Sequence, residues 1–319
     1  MVNITSTVMP GSTGGEIRAA LELASGRIVG QNLGLTYNPE FIALGSVVRD
    51  LLHPDMVLIG ESDARAGDTL AAAYALTVPA GTPVQRMNWV CAELTKLAVN
   101  TFVTTKISYA NMLGELCDRP PGADADAVTQ ALGRDSRIGP KYLKAALGYG
   151  GPCFPRDNVA LAALARSLGA TADIAEATDA INRRQADRVA TLVARLAPGR
   201  TTIAVLGLGY KPDTAVCDES QGVMIAAALA AAGHTVLVAD PLALDNAMAA
   251  LGAAVTPMAC AGAAAAAAIV VIATPGDHFA SLPAASFAGD KTVIDCWRIL
   301  PPGIAGSATI IHPGHGPAG

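Results

Sequence analysis

The sequence predicts a protein of the α/β class. Two stretches of the chain, one towards each end, alternate short apolar runs with helical patterns, as is typical of sheets covered by helices. Between them lies a long stretch with helical spacing throughout. The chain has 319 residues, of which 51% are hydrophobic and 15% are charged, so it is long enough for about two domains with apolar cores.

Residues 1–80 predict a partial sheet. A first strand is expected at residues 2–5, and a helix is expected to begin near Gly15. Further strands are expected at residues 33–36 and 56–59, with a helix at residues 64–75. The alternation is typical of a Rossmann-like fold, and the zone opens directly on a strand. We therefore expect a Rossmann-like half-sheet.

Residues 81–198 are expected to form a central helical domain. An uninterrupted pattern runs from Asn88 to Leu116, and its apolar residues fall close to helical spacing at Leu94, Leu97, Ala98, Phe102, Ile107 and Leu113. The pattern is longer than a typical globular helix, which indicates a spine helix or a dimer contact. An ordinary buried core helix explains it equally well.

Residues 199–312 predict a complete, small doubly wound unit. Strands are expected at residues 202–206, 235–239, 269–273 and 292–294, with a helix at residues 223–232. This order predicts a C-terminal Rossmann-like domain. The last residues, 313–319, are rich in glycine and proline and are expected to be a frayed tail.

Composition excludes several classes of protein. A net charge of −5 argues against binding to nucleic acid, which needs a basic face. The longest apolar run, residues 260–274, is too short to span a membrane. Six cysteines are scattered without a CxxC pair or a Cys/His cluster, so we expect no disulfide framework, no metal site and a reduced, cytoplasmic setting.

The most informative segment runs from Gly148 to Asp157 and reads GYGGPCFPRD. Its glycines let the backbone approach a ligand closely, and its prolines stiffen the loop. Cys153 is therefore expected to be accessible. Arg156 and a helix starting near Asp157 both favour a thiolate. Most lone cysteines are structural, but the context of this loop favours a nucleophile.

Two further segments carry polar residues at informative positions. Lys96 and Asn100 lie one turn apart on a predicted helix, where an ammonium and a carboxamide suit a developing oxyanion. A solvated surface pair is the alternative. Glu40 follows a predicted strand, which suits a general base, although a carboxylate at a helix N-terminus is equally compatible.

A glycine-containing turn follows the strand at residues 202–206. Residues 207–209 read GLG but lack the third glycine of a dinucleotide fingerprint, so they are weak evidence for NAD. Lys211 suits a ligand that bears phosphate. Asp240 closes the next strand at a position typical of a ribose contact, and a simple turn cap is the alternative.

Taken together, these segments resemble the UDP-glucose/GDP-mannose dehydrogenase family. Seven segments match in order: residues 6–8 (STV), 38–41 (NPEF), 54–60, 93–100, 135–139 (DSRIG), the Cys153 segment and 207–214. The resemblance implies oxidation of the C6 alcohol of a nucleotide sugar, with UDP-glucose favoured, to the uronic acid with two NAD. It also implies a role in supplying precursors for polysaccharides.

The resemblance further assigns roles to individual residues. It implies that Cys153 is the nucleophile, which forms a thiohemiacetal and then a thioester, and that Lys96 and Asn100 stabilise the oxyanion. It implies that Asp157 activates water or positions Lys96. It further implies that Glu40 assists hydrolysis of the thioester and that Thr7 holds a water molecule or contacts the edge of the cofactor. It implies that substrate is bound by Phe41, Tyr142, Leu143, Lys144, Tyr149, Gly150, Lys211 and Arg298, and by Arg137 reaching into a neighbouring subunit of a homodimer formed through the central helix. Arg156 takes the place of a basic residue near the NAD.

The sequence also departs from the family pattern. Members carry a GxGxxG turn roughly a hundred residues before their Ser-Thr-Val segment, whereas Met1 lies five residues before Ser6. Residues 1–80 are thus expected to be the remnant of an NAD-binding domain, through truncation, a split gene, a misplaced start codon or decay. Three substitutions, Leu44, Asp218 and Trp297, stand where many members have glutamate, arginine and arginine.

Two functions are compatible with these features. The first is an NAD-dependent nucleotide-sugar 6-dehydrogenase, which the set Cys153, Lys96, Asn100 and Asp157 favours. The alternative is an impaired fragment that binds a UDP-sugar, or a remnant that only dimerises, which the expected loss of the phosphate cradle favours. We expect the isolated chain to bind a UDP-sugar and to reduce little NAD.

Overall fold

The structure, a computed structural model, describes residues 1–304 and 306–317. It divides into two compact units. Unit 1 comprises Met1–Thr101 and Ala160–Ala172, and unit 2 comprises Phe102–Val159 and Asp173–Gly319. Two helices, α4 (Trp89–Cys117) and α6 (Phe154–Ser167), contribute residues to both units.

Unit 1 carries a four-stranded sheet in the order β1-β2-β3-β4. The strands are β1 (Val2–Ile4), β2 (Leu35–Tyr37), β3 (Val57–Glu61) and β4 (Val84–Met87), and the helices besides α4 and α6 are α1 (Arg18–Ser25), α2 (Val47–Leu52) and α3 (Ala64–Tyr74). A π-helical turn, Thr13–Ile17, leads into α1. β1 pairs in parallel with β2, and β3 pairs in parallel with β4, whereas β2 and β3 are antiparallel. The chain segments that follow β1 and β2 therefore leave the sheet at the same edge.

Unit 2 adds helices and a larger sheet. Its helices are α5 (Ala125–Arg134), α7 (Asp173–Leu196), α8 (Gln221–Ala231), α9 (Leu244–Leu251), α10 (Cys260–Ala266) and α11 (Asp277–Ala280). Its strands are β5 (Thr202–Leu206), β6 (Thr235–Ala239), β7 (Thr256–Pro257), β8 (Ile269–Ile272), β9 (Thr292–Asp295) and β10 (Thr309–Ile311). Short 3₁₀ turns follow α9 and precede β9.

The sheet of unit 2 is doubly wound. Its order is β10-β9-β8-β5-β6-β7, and every pairing is parallel. Counted from β5, this is the strand order 3-2-1-4-5-6 of a dinucleotide-type fold. The order reverses between β5 and β8, so the turn that follows β5 lies at the switch point, where such folds bind ligands.

Both faces of this sheet are buried, which explains the continuous apolar runs of its strands. On one face Val205, Val238 and Val271 pack with residues of α7 and α8 such as Val193 and Ile225. On the other face the alternate residues of the same strands pack with the alanines of α10 and with Phe279 and Phe287. The small alanine side chains let α10 lie close to the sheet.

The predicted fold class is confirmed, and most predicted elements lie within one or two residues of the observed ones. The exceptions are short. Residues 84–87 open the stretch expected to be helical, yet they form β4 because they pair with β3. β7 and β10 were not predicted at all. Within residues 1–304 and 306–317, no helix combines the length and apolar character needed to cross a membrane.

Candidate active site

The predicted site residues divide between the two units. Thr7, Glu40, Phe41, Lys96 and Asn100 belong to unit 1, and all the others belong to unit 2. Each group has its own geometry.

In unit 1, Lys96 is held in a defined position on α4. Its Nζ donates to the backbone carbonyl of Glu40 at 2.6 Å and lies 4.6 Å from the centre of the Phe41 ring. An ammonium over an aromatic face is attracted by the ring's negative potential. Asn100 follows one turn later on α4 and is buried. The alternative of a solvated surface pair is therefore wrong, because neither side chain is simply exposed.

The segment that carries Glu40 is fixed by its neighbours. Asn38 donates through Nδ2 to the carbonyl of Leu58 at 2.8 Å and accepts from the Tyr74 hydroxyl at 2.5 Å. Its backbone amide donates to the carbonyl of Ile4 at 2.8 Å, which continues the pairing of β1 with β2. Thr7 follows β1, so Thr7 and Glu40 both lie beyond the carboxyl ends of parallel strands.

Glu93 stabilises the turn that follows Thr7. Its carboxylate accepts from the backbone amides of Gly11 at 2.6 Å and Thr13 at 2.8 Å, and the side chain is fully buried. A buried carboxylate is tolerated because backbone donors replace water. These two amides are satisfied by the protein itself and are not available to phosphate. Glu93 opens the segment 93–100, but no pattern in the sequence predicts this role for it.

In unit 2, the cysteine loop, defined as residues 146–153, ends at the start of α6. Cys153 is exposed, as predicted, and its carbonyl accepts the first helical hydrogen bond, from the amide of Asp157 at 2.8 Å. The helix begins at Phe154, three residues earlier than expected. The thiol therefore stands at a helix N-terminus, where the dipole favours negative charge.

Asp157 lies one helical turn beyond Cys153 and is almost completely buried. Its Oδ1 accepts from Nε and Nη2 of Arg156 at 3.1 and 3.0 Å. Arg156 is mostly exposed and covers the carboxylate from the solvent side. Cys153 immediately precedes the helix and Asp157 lies in its first turn, so the two residues are one turn apart along the chain.

The glycines of the cysteine loop allow close packing. A Cβ at Gly150 would overlap the carbonyl oxygen of Glu219, and a Cβ at Gly151 would lie 2.6 Å from the Tyr210 ring. Gly151 also has a φ of +84°, which favours glycine. Burial raises the pKa of the Tyr210 hydroxyl, and Cys153 adds to that effect. The side chain of Tyr210 thus forms one wall of the loop.

Other predicted substrate contacts differ widely in accessibility. Leu143 and Tyr149 are buried, and burial strongly raises the pKa of the Tyr149 hydroxyl, which accepts from Asn158 at 3.3 Å. Tyr142, which has a φ of +64°, and Lys144 are exposed. The backbone of Gly150 is buried as well. Tyr142 and Lys144 can offer side chains to a ligand, whereas Tyr149 is placed to support the loop.

The turn after β5 is closed by Asp240 at the end of β6. Oδ2 accepts from the amides of Leu208 at 2.7 Å and Gly209 at 3.2 Å, and Oδ1 accepts from Leu242 at 2.8 Å and Ala243 at 2.7 Å. The carboxylate is therefore a turn cap, the alternative to a ribose contact. Beside this turn, Lys211 Nζ lies 5.7 Å from the centre of the Tyr210 ring.

Residues 207–209, called here the nucleotide-type turn, lack the third glycine of a dinucleotide fingerprint, but a glycine later in the chain takes over its structural role. A Cβ at Gly222, on α8, would overlap the carbonyl oxygen of Gly207. Its absence lets the helix approach the end of β5, which is the role of the third glycine in a dinucleotide fingerprint. Gly222 lies thirteen residues after Gly209, so the usual spacing of the fingerprint does not predict its role.

The two predicted arginines have contrasting surroundings. Arg298 is nearly buried, and its guanidinium forms an ion pair with Asp126 and donates to the carbonyl of Pro313 at 2.7 Å. These contacts tie the segment after β9 to α5 and to the tail. The expectation of a frayed tail is wrong for residues 313–317, because Gly314, Gly316 and Pro317 form backbone hydrogen bonds with residues 122–125. Arg137 is highly exposed and pairs with Asp135 at 2.6 Å, two residues away, which lowers the pKa of Asp135. Its exposure is compatible with reaching another molecule.

The remaining cysteines are less suited to nucleophilic chemistry. Burial raises the pKa of the thiols of Cys217, Cys260 and Cys296, which favours the neutral form. Cys117 is buried, and Cys91 is exposed on the first turn of α4. Exposure alone does not distinguish Cys153 from Cys91. The glycine loop and the neighbouring carboxylate do.

The arrangement has two chemical capabilities. Unit 2 presents an accessible thiol one helical turn from a carboxylate, together with the nucleotide-type turn and Lys211. Unit 1 presents Thr7, Glu40 and the fixed Lys96 beyond the carboxyl ends of parallel strands. A hydroxyl, a carboxylate and an aromatic ring suit the rings and ribose hydroxyls of a dinucleotide better than its phosphates, since the amides of Gly11 and Thr13 are engaged by Glu93.

Comparison with protein families finds three matches along the chain. Residues 1–78 match the NAD binding domain of the UDP-glucose/GDP-mannose dehydrogenase family, residues 90–184 match its central domain, and residues 204–302 match its UDP binding domain. The first match confirms the prediction that the cofactor is NAD.

Individual relatives extend along nearly the whole chain. UDP-glucose 6-dehydrogenase AglM of Haloferax volcanii is 37% identical over 94% of this chain and 70% of its own length. UDP-glucose 6-dehydrogenase TuaD of Bacillus subtilis is 36% identical over 79% of this chain, and the match covers 54% of TuaD. The chain thus spans from about half to 70% of the length of these relatives.

Solved structures show the same architecture. A UDP-glucose dehydrogenase from Pyrobaculum islandicum superposes with a TM-score of 0.89 at 34% identity, over 98% of this chain and 70% of that one. A UDP-D-ManNAc dehydrogenase from Pyrococcus horikoshii, at 23% identity, shares the fold with a TM-score of 0.82 and covers 98% of this chain and 72% of its own.

Proposed function

The chain belongs to the UDP-glucose/GDP-mannose dehydrogenase family, and from that premise we propose that it oxidises the C6 alcohol of a UDP-sugar, UDP-glucose first among them, to the uronic acid. The observation that carries this proposal is the exposed thiol of Cys153 at the end of a glycine loop and at the N-terminus of α6. NAD, when bound, accepts the hydride of each of the two oxidations.

Cys153 serves the second half of the reaction. Its thiolate adds to the C6 carbon of the aldehyde, a carbon–sulfur bond forms, and the carbonyl oxygen takes a proton. Loss of the hydride from C6 together with the proton of the new hydroxyl then leaves a thioester. Water adds to that carbon, the carbon–sulfur bond breaks, and the carboxylate leaves with the thiol restored. Asp157, one turn away, is proposed to orient the water or the thiol.

The residues of unit 1 are proposed to act on charge and water. Lys96 and Asn100 stabilise the oxyanion at C6, since a fixed ammonium and carboxamide need no reorganisation as the charge develops. Glu40 assists thioester hydrolysis as a base. Thr7 and Arg156 contact the cofactor. The fixed position of Lys96 against the Glu40 carbonyl and the Phe41 ring supports such preorganisation.

Substrate binding is proposed for unit 2. The nucleotide-type turn lies at the switch point of a doubly wound sheet, and Lys211 next to it supplies a positive charge for the diphosphate. Tyr142, Lys144 and the backbone of Gly150 contribute contacts from the loop that precedes Cys153. The remaining family positions are also proposed as substrate contacts: Phe41 in unit 1, and Leu143, Tyr149 and Arg298 in unit 2, where these three side chains are largely buried.

We also propose that the chain forms a homodimer through α4. Phe102, Tyr109 and Leu116 are exposed large apolar side chains seven residues apart, so they share one face of the helix. An exposed apolar stripe of this kind is typical of a protein–protein contact. Arg137, which is highly exposed, is proposed to reach the site of the second copy.

Product analysis tests the proposed reaction. Purified chain is incubated with NAD and, in turn, UDP-glucose, UDP-N-acetylhexosamine and GDP-mannose, and the uronic acid and NADH are quantified by mass spectrometry and absorbance. We expect acid from UDP-glucose with two NADH formed for each acid, in a small total amount because the isolated chain is expected to reduce little NAD. Cys153→Ser should lower the rate by at least about a thousandfold, whereas the matched control Cys91→Ser should not.

Three results would count against this account. Equal acid formation by Cys153→Ser would remove the thiol from the mechanism. Acid formed only from another sugar nucleotide would correct the substrate. Binding of UDP-glucose without any acid would leave the alternative of a protein that binds the nucleotide sugar without turnover.

A further inference from the structure

The cysteine loop has an unusual means of support. Residues 146–150 belong to no helix or strand, yet they are buried. Buried backbone amides and carbonyls must find partners, because leaving them unpaired is costly. In most folds a neighbouring strand supplies these partners. Here two asparagine side chains do so.

Asn111, on α4, holds the first part of the loop. Its Oδ1 accepts from the amide of Ala146 at 2.9 Å, and its Nδ2 donates to the carbonyl of Leu147 at 3.0 Å. The side chain is only 1% exposed. One carboxamide therefore satisfies a donor and an acceptor of successive residues.

Asn182, on α7, holds the next part in the same way. Its Oδ1 accepts from the amide of Tyr149 at 2.7 Å, and its Nδ2 donates to the carbonyl of the same residue at 2.9 Å. A single residue is thus held at both its amide and its carbonyl, as it would be in a β-ladder. Asn182 is only 4% exposed.

Gly148 lies between Leu147 and Tyr149, the residues that Asn111 and Asn182 hold, and its lack of a side chain lets Asn182 approach the loop backbone. A Cβ at Gly148 would overlap Asn182 Oδ1 and would lie 2.9 Å from Gln221 Nε2. Further along the loop, the amide of Gly151 donates to the carbonyl of Asp218 at 2.8 Å. Just after the loop, in the first turn of α6, Asn158 Nδ2 donates to the carbonyl of Phe154 at 2.9 Å. Fixed contacts therefore lie on both sides of Cys153.

We propose that Asn111 and Asn182 are positioning residues, which fix the direction of the Cys153 thiol by clamping the loop backbone. The functional meaning of this clamp rests on the proposed nucleophilic role of Cys153. An uncharged carboxamide suits the task, since it donates and accepts at once without the desolvation cost of a buried charge.

Thiol reactivity and amide exchange test the clamp without turnover. Asn182→Leu keeps the size of the side chain and removes both hydrogen bonds. The matched control is Gln185→Leu, because Gln185 is a buried carboxamide on the same helix whose bonds run to Ile181 and Arg188 instead. Alkylation by iodoacetamide is followed by peptide mass spectrometry, with exposed Cys91 as the reference in each sample.

We expect Asn182→Leu to raise the alkylation rate of Cys153 relative to Cys91 by about threefold or more, because a released loop presents the thiol in more directions. Exchange of the Tyr149 amide should quicken by about tenfold or more, the effect of losing roughly one net hydrogen bond. Gln185→Leu should change neither quantity. An unchanged Cys153 ratio in a folded Asn182→Leu variant overturns the proposal.

If Asn182→Leu does not fold, a second variant and the unaltered chain still test the clamp. Asn111→Leu releases the loop from a different helix and is read by the same two assays. In the unaltered chain, the amides of Ala146 and Tyr149 should exchange slowly although they lie outside helices and strands, and rapid exchange there would refute the clamp. Neither readout needs NAD or product, so a failure of the proposed reaction is distinguishable from a failure of the clamp.

Discussion

Replacement of Asp240 by asparagine separates the two roles considered for this carboxylate. As a turn cap, it accepts four backbone amides, two on each oxygen. Asp240→Asn keeps the shape but turns one oxygen into a donor that faces two other donors. A hydrogen bond to a charged group contributes about 1.5–3 kcal/mol, and the half-buried site lets water restore part of it. We expect a loss of about 3 kcal/mol in the unfolding free energy reported by unit 2.

The chain provides a local probe for this measurement. Trp297 packs against the core of unit 2 and donates to the carbonyl of Ala273 at 2.9 Å, whereas Trp89 belongs to unit 1. Urea unfolding is followed by the fluorescence of Trp297 in a Trp89→Phe background. Asp245→Asn, an exposed position on α9, is the control. A loss below about 0.5 kcal/mol, together with weakened NAD or sugar-nucleotide binding, would refute the capping role and favour a ribose contact.

Three further predictions address the loop, the pH dependence and the dimer. Gly151→Ala should destabilise unit 2 by about 2–4 kcal/mol, because φ is positive there and the new Cβ overlaps Tyr210. Gly233 also has a positive φ but lies in open space, so Gly233→Ala should lose only the stability that the backbone strain costs. Equal losses of stability in the two variants, measured by Trp297 fluorescence, would contradict the overlap. Asp63 caps α3, and hydrogen bonds from the Ser62 hydroxyl and the Ala66 amide lower the pKa of its carboxyl. Asp63→Ala should therefore lower the unfolding free energy, followed by Trp89 fluorescence, by about 1 kcal/mol at neutral pH. This difference between variant and unaltered chain should disappear as the pH falls below 3.8 through the folded pKa, and a constant difference would be inconsistent with an ionised cap. Tyr109→Lys should weaken self-association in sedimentation by about tenfold or more, unlike Leu242→Lys at an exposed position off α4, and an unchanged association constant would exclude the α4 stripe.

The sequence predicted those features whose cause is local. The strands at residues 202–206 and 235–239 have the bounds that their apolar runs indicated, because both faces of the sheet are buried. The adjacency of Lys96 and Asn100 followed from helical spacing alone. The exposure of Cys153 followed from its glycine loop. In each case a few neighbouring residues determine the outcome.

Features that depend on distant contacts escaped prediction. β4 is a strand because it pairs with β3, and its own sequence gives only a weak signal. Asn111 and Asn182 lie on two helices far apart in the chain, and only their buried polar side chains at helical positions hinted at a role. Gly222 fulfils the packing role of the third fingerprint glycine from a position outside the spacing of the motif. Spacing rules do not report such pairings.

Protection of Cys153 by substrate tests the central claim most directly. The unaltered chain is treated with iodoacetamide with and without saturating UDP-glucose, and the alkylation of Cys153 and Cys91 is compared by peptide mass spectrometry. If the cysteine loop forms the sugar site, UDP-glucose should slow alkylation of Cys153 by about tenfold or more and leave Cys91 unaffected. Equal slowing of both cysteines, or of neither, would contradict the assignment of the site.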